Sequence, residues 1–198
     1  MLTDRKTDSG FTLTEVMVVV VILSLLAALS TPLFTRDNTA RKGRDWAKVV
    51  AQILQRARFQ AMGDRANIHV LLYRTRVEMY RQNGTGLATT YTLLSTIAGP
   101  AAAGTASDKT IAIWDARSDG AVPTAKVLAD TTVALPVPPA PRPNDIVFTS
   151  LGSTMGNANW RVFMRNELLP AINPDASFVI NIGGLTGYIS SNDKVSLP

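Results

Sequence analysis

From residue 11 to residue 29 only Thr12, Thr14, Glu15 and Ser24 interrupt an apolar run. As a helix this stretch reaches about 28 Å, close to the thickness of a bilayer's hydrocarbon layer. Within a membrane, a helix of this length satisfies its own backbone, which an irregular segment cannot do. One residue resists that reading. An ionised side chain near the middle of a bilayer helix costs about 2.5–3.5 kcal/mol even on the lenient insertion scale, so a bare anchor has no reason to keep Glu15. Pro32 falls near the exit of the stretch, where a helix kink is tolerable.

Two kinds of export signal fit this N-terminus. An ordinary secretory signal has a charged start, an apolar stretch and a small-residue cleavage site. Arg5 and Lys6 supply the start and Ala28-Leu29-Ser30 a passable site, giving a mature chain that begins at Thr31. The apolar stretch is long for such a signal, and Glu15 lies at its start. The alternative cut falls before the stretch, after Gly10.

The segment Gly10-Phe11-Thr12-Leu13-Thr14-Glu15 resembles the prepilin motif of type IV pilins and type II secretion pseudopilins. The resemblance implies a prepilin peptidase that cuts between Gly10 and Phe11, methylation of the new amine on Phe11, and Glu15 as an assembly contact. It implies that Pro32 bends the helix. Other major and minor pilins or pseudopilins, together with the lipid of the inner membrane, are the implied partners. The physics agrees with it. Cutting before Phe11 creates a positive amine at the bilayer edge, which Glu15 of a neighbouring subunit can neutralise. In low dielectric, an opposite-charge pair recovers what each charge loses alone, and leaving one partner unpaired costs about 3–5 kcal/mol.

The expected fold is α+β and pilin-like, with a long N-terminal helix packed on an antiparallel β-sheet domain. Residues 1–10 are the leader, 11–34 the transmembrane or filament-core helix, 35–64 an amphipathic helix and 65–198 a periplasmic domain. The positive-inside bias points the other way. Arg5 and Lys6 precede the span, while Arg36, Arg41, Lys42, Arg44 and Lys48 follow it. The processing motif outweighs this bias, because its peptidase works at the cytoplasmic face.

The formal charge of +5 is concentrated after the span. Eight basic residues against three acidic ones between Arg36 and Arg65 account for the whole excess. Such a stretch can meet nucleic acid or anionic headgroups, or form the solvated face of a helix beside a membrane. The chain has no cysteine, which excludes disulfides, thiolate metal sites and a cysteine nucleophile.

Beyond Pro32, Trp46, Val49, Val50, Ile53, Leu54, Ala57 and Ala61 fall at helical spacing on one face, with Gly63 as a stop signal. Residues 67–82 read as strand, ending in an Asn83-Gly84 turn. Further strands are expected at 91–97, 110–114, 146–148, 160–165, 178–182 and 187–190. Residues 98–107 read as a small-residue loop and 115–120 as a turn. Residues 136–143 contain five prolines and read as an extended connector. The pattern around residues 59–62 and 69–72, with Phe148 to Ser153 and residues 178–189, is similar to the GspH/FimT branch of minor pilins.

Little in the chain suggests catalysis. His69 is the only histidine, with no identifiable triad or metal partners, and no phosphate-binding or HExxH motif occurs. Asp108, Asp115, Asp119 and Asp130 have irregular spacing for a calcium loop. The chain is expected to be no enzyme and to need no cofactor or metal. FimT-like minor pilins that bind DNA suggest a second function, for which Arg41, Lys42 and Arg44 are the candidate contacts. Against it, Gly187 is followed by Tyr188 where that branch often has arginine. A third reading is a membrane-anchored exported binding domain or enzyme.

Overall fold

The computed structural model describes residues 12–84, 89–100, 110–119, 121–125, 127–128, 144–170, 172–173, 176–193 and 197, with only the backbone for residues 29–38, 192 and 193. The leader and the proline-rich connector therefore lie outside the described residues, as do most of the loop at 98–107 and Asp108 and Asp130. Two compact units are present, residues 1–38 and 39–198, and one helix, α1 (Leu13–Asp64), contributes to both. Pro32 lies within it.

In the second unit α1 buries Trp46, Val50, Ile53, Leu54, Ala57 and Ala61, with Val49 packed against their edge. This is the stripe read from the sequence. The helix ends one residue beyond the expected stop. Arg65 takes the left-handed conformation (φ 51°), and Ala66 N donates to Ala61 O at 3.3 Å, closing a Schellman-type cap. Gly63 stays helical.

Among the described residues, eight strands form two four-stranded antiparallel sheets, where a single sheet was expected. The first has the order β3 (Thr90–Ala98), β2 (Arg76–Asn83), β1 (Ile68–Leu72), β5 (Asp145–Phe148). The second has the order β4 (Ile111–Arg117), β6 (Trp160–Asn166), β7 (Ser177–Ile182), β8 (Ile189–Asp193). Three expectations need correction. The single run at 67–82 is a hairpin, broken at Tyr73–Thr75 where no glycine, proline or asparagine marks a turn. Asp115 to Arg117 belong to β4 rather than to a turn, because a bulge at Trp114 lets the strand continue. The last strand starts at Ile189, since Gly187 (φ 60°) is still in the preceding turn.

One core joins α1 to both sheets: Ile68, Val70, Val77 and Met79 from the first, and Ile113, Val162, Met164 and Ile180 from the second. Burying each such side chain contributes about 1.5–3 kcal/mol. A polar hub also ties the sheets together. Glu167 accepts hydrogen bonds from Arg74 Nη2 (3.0 Å), Trp114 Nε1 (3.0 Å) and Thr110 N (3.2 Å). Arg74 follows β1, while Trp114 lies in β4.

Candidate functional site

The described chain starts with a capping box. Glu15 N donates to Thr12 Oγ1 at 3.3 Å, and Thr12 N donates back to Glu15 Oε2 at 2.9 Å. The sequence Thr-x-x-Glu permits this because a carboxylate three residues into a helix reaches the amide that precedes it. The Thr12 hydroxyl also lies 3.1 Å from the same carboxylate oxygen. Glu15 therefore has a local partner, one the sequence reading overlooked although Thr12 was in view.

Past the cap, α1 is apolar all round. Eight consecutive side chains, Val16 to Leu23, are all exposed, and Leu13, Leu25 and Leu26 join them. Consecutive residues sweep the full circumference at 3.6 residues per turn, so no single face could be covered by a sheet. Ser24 hides its hydroxyl by donating to Val20 O at 2.7 Å. Among the described residues no helix is long and apolar enough to cross a membrane. The expected span, 11–34, extends past that set at both ends, since Phe11 and the side chains of residues 29–34 fall outside it. Gly10 lies outside it too.

The basic stretch does not act as one group. Arg41, Lys42 and Arg44 are exposed on α1, and Arg41 faces Asp45 at 3.9 Å. Arg58 instead serves the fold: its Nε donates to Gly152 O at 3.2 Å beneath the loop that follows β5.

The structure gives His69 the partner that sequence could not name. Its Nδ1 is 2.8 Å from Asp145 Oδ2, and its Nε2 is 3.3 Å from Gln82 Oε1. The Gln82 amide is oriented by Asn67, whose Nδ2 donates to the same oxygen at 3.0 Å. Both ring nitrogens thus face acceptors. Burial acts to lower the His69 pKa, but the Asp145 hydrogen bond and charge, helped by Gln82, outweigh it and hold the imidazole above its ordinary value. The pair joins β1 to β5 in the domain interior, with Tyr91 edge-on to the ring, and among the described residues no serine or other nucleophile is hydrogen-bonded to it. Asp115 and Asp119 both face Arg117. No group of three or more His, Asp or Glu able to hold a metal occurs among the described residues.

The profile of the Prokaryotic N-terminal methylation motif matches residues 5–31, which contain Gly10, Phe11 and the Glu15 cap. The chain thus carries a prokaryotic N-terminal methylation motif that leads into α1. No curated protein sequence matches it. Two crystal structures of the type IV minor pilin FimU from Pseudomonas aeruginosa are similar to it at 14% identity. One covers 75% of this chain and 91% of its own at a TM-score of 0.46. The other covers 82% and 93% at 0.47. The chain itself joins a long helix to antiparallel sheets, in an α+β fold.

Proposed function

We propose that this chain is a minor pilin or pseudopilin of the GspH/FimT kind, a structural subunit rather than an enzyme. Prepilin peptidase cuts between Gly10 and Phe11, the Phe11 amine is methylated, and residues 11–34 hold the subunit in the inner membrane until it enters a filament. The folded domain then stands in the periplasm. One observation carries the reading: the methylation motif leads straight into a helix whose apolar side chains are exposed around its whole circumference. Such a surface is covered first by lipid and then by the helices of neighbouring subunits, so the same segment serves as anchor and as filament core.

Within the filament, Glu15 neutralises the Phe11 amine of an adjacent subunit, and Pro32 eases the helix out of the packed region. DNA binding has weaker support. Arg41, Lys42 and Arg44 are exposed, yet Asp45 stands beside Arg41, and Tyr188 follows Gly187. The test is the mass of the native N-terminus. A chain beginning at methylated Phe11 is the expected result; one beginning at Met1 or Thr31 overturns the reading.

A further inference from the structure

We propose that Gln82 and Asn67 form a proton-operated amide switch, which carries the charge state of the buried His69 out to the cleft at the end of α1. The geometry demands it because both ring nitrogens face oxygens. Nδ1 meets Asp145 Oδ2 at 2.8 Å, and Nε2 meets Gln82 Oε1 at 3.3 Å. An imidazolium donates from both nitrogens and satisfies both oxygens, whereas a neutral ring donates from only one. Gln82 Oε1 also accepts from Asn67 Nδ2 at 3.0 Å, so in this arrangement it serves two donors.

Losing the proton breaks the arrangement. The remaining N–H stays on Nδ1, because a nitrogen lone pair held against the Asp145 carboxylate would be repelled. Nε2 is then an acceptor facing the acceptor Gln82 Oε1. Turning the Gln82 amide over resolves the conflict: its Nε2 donates one hydrogen to the ring and the other towards Asn67. Asn67 must turn as well, to offer Oδ1 where its Nδ2 stood. Leaving the buried ring nitrogen unpaired is the costlier alternative.

The surroundings make His69 the group that titrates. Asp145 approaches from β5 and Tyr91 stands edge-on from β3. Tyr80 lies opposite His69 on β2, its hydroxyl donated to Glu78, which Arg76 pairs. Burial and the Asp145 charge raise the Tyr91 phenol, and Tyr80 is pushed up to about 12, so both stay neutral while the imidazole changes charge.

The outer end of the switch is a wall of the cleft. Gln82 Nε2 makes a long bond to Gly84 O at 3.5 Å; once the amide turns, Oε1 stands there and two carbonyl oxygens repel. Asn67, Gln82 and Gly84 share a cleft of about 410 Å³ with Asp64, Arg65 and Arg81. A proton on a buried ring therefore exchanges donors for acceptors on that wall.

His69 is the only histidine, so the ring gives a single set of nuclear magnetic resonance signals. The full chain, isotope-labelled in detergent micelles, is titrated across the His69 midpoint while the assigned side-chain amides are followed. The neutral ring should carry its proton on Nδ1. A nitrogen–nitrogen coupling between His69 Nε2 and Gln82 Nε2 should appear above the midpoint and vanish below it, and the Asn67 amide should change with the same midpoint. Gln82→Leu removes both amide atoms without altering charge. In that variant the ring should still titrate while the Asn67 response is lost. Three results overturn the proposal: a neutral ring protonated on Nε2, no nitrogen–nitrogen coupling at any pH, or an Asn67 response that persists in Gln82→Leu and so reports only the field of the ring. The first two are read on the wild-type chain and decide the matter if Gln82→Leu fails to fold. None of these readouts depends on cleavage at Gly10.

Discussion

Replacing His69 with alanine removes one half of a buried ion pair and leaves the other half in place. The Asp145 side chain is 3% exposed, its Oδ1 has no hydrogen-bond partner among the described residues, and the imidazole stands 2.8 Å from its other oxygen. Breaking a buried pair from one side costs about 3–5 kcal/mol, most of it the penalty of the orphaned charge. Chemical denaturation of the His69→Ala chain should show a loss in that range. Asp145→Ala should cost a similar amount, and the double variant much less than the sum, with an interaction energy of about 2–3 kcal/mol.

The pH dependence has a definite sign. The folded imidazole is held above its unfolded value of about 6.5, so between the two values the native state binds more protons. Stability from this pair is therefore complete below about pH 6.5 and is lost as pH rises through the folded value. The wild-type chain should lose stability across that window, and His69→Ala should flatten the slope. A His69→Ala cost below about 1 kcal/mol, together with additivity in the cycle, would refute the argument that the pair clamps β5 to β1.

Two glycines give opposite expectations. A Cβ on Gly184 would lie 1.9 Å from Asn157 O, a backbone atom that cannot swing aside, so Gly184→Ala should cost about 3 kcal/mol or more in a denaturation curve. Gly63 is helical with nothing within 4 Å of such a Cβ, and Gly63→Ala should instead raise stability by about 0.5–1 kcal/mol. Glu167→Ala strips the hub that receives Arg74, Thr110 and Trp114. It should destabilise by about 2–4 kcal/mol and shift the near-ultraviolet signal of Trp114.

The helix and most strands were legible because their signals are local. The stripe from Trp46 to Ala61 repeats at helical spacing, and β6 and β7 are short apolar runs between turns. The β1–β2 hairpin was hidden for the opposite reason. Tyr73-Arg74-Thr75 carries no turn chemistry of its own, and the reversal is held by the Arg76–Glu78 ion pair (2.8 Å) and by Arg76 stacked over Tyr73 at 3.8 Å. Glu78 in turn accepts from Tyr80 at 2.9 Å. Burial and that bonded carboxylate push the Tyr80 phenol up to about 12. The pairing of His69 with Asp145 spans 76 positions, a separation that no spacing rule reaches. The capping box is different: Thr12 and Glu15 have the local Thr-x-x-Glu spacing that permits it, and the structure forms it.

That cap changes how Glu15 must be tested. Thr12 satisfies the hydrogen bonds of Glu15 Oε2 but not its charge, and an uncompensated charge is the expensive part in lipid. Glu15→Ala removes cap and charge together and cannot separate them. Glu15→Gln can, because glutamine fills the same place in a capping box while carrying no charge. If the carboxylate pairs with a neighbour's freed amine, Glu15→Gln should keep its helix start and still fail to co-purify with partner subunits, as Glu15→Ala fails. Thr12→Ala, losing about 1 kcal/mol of capping, should assemble more nearly as wild type does. Normal incorporation of Glu15→Gln would mean that Glu15 serves only the end of its own helix, and the electrostatic account of assembly would fall while the methylation motif stood.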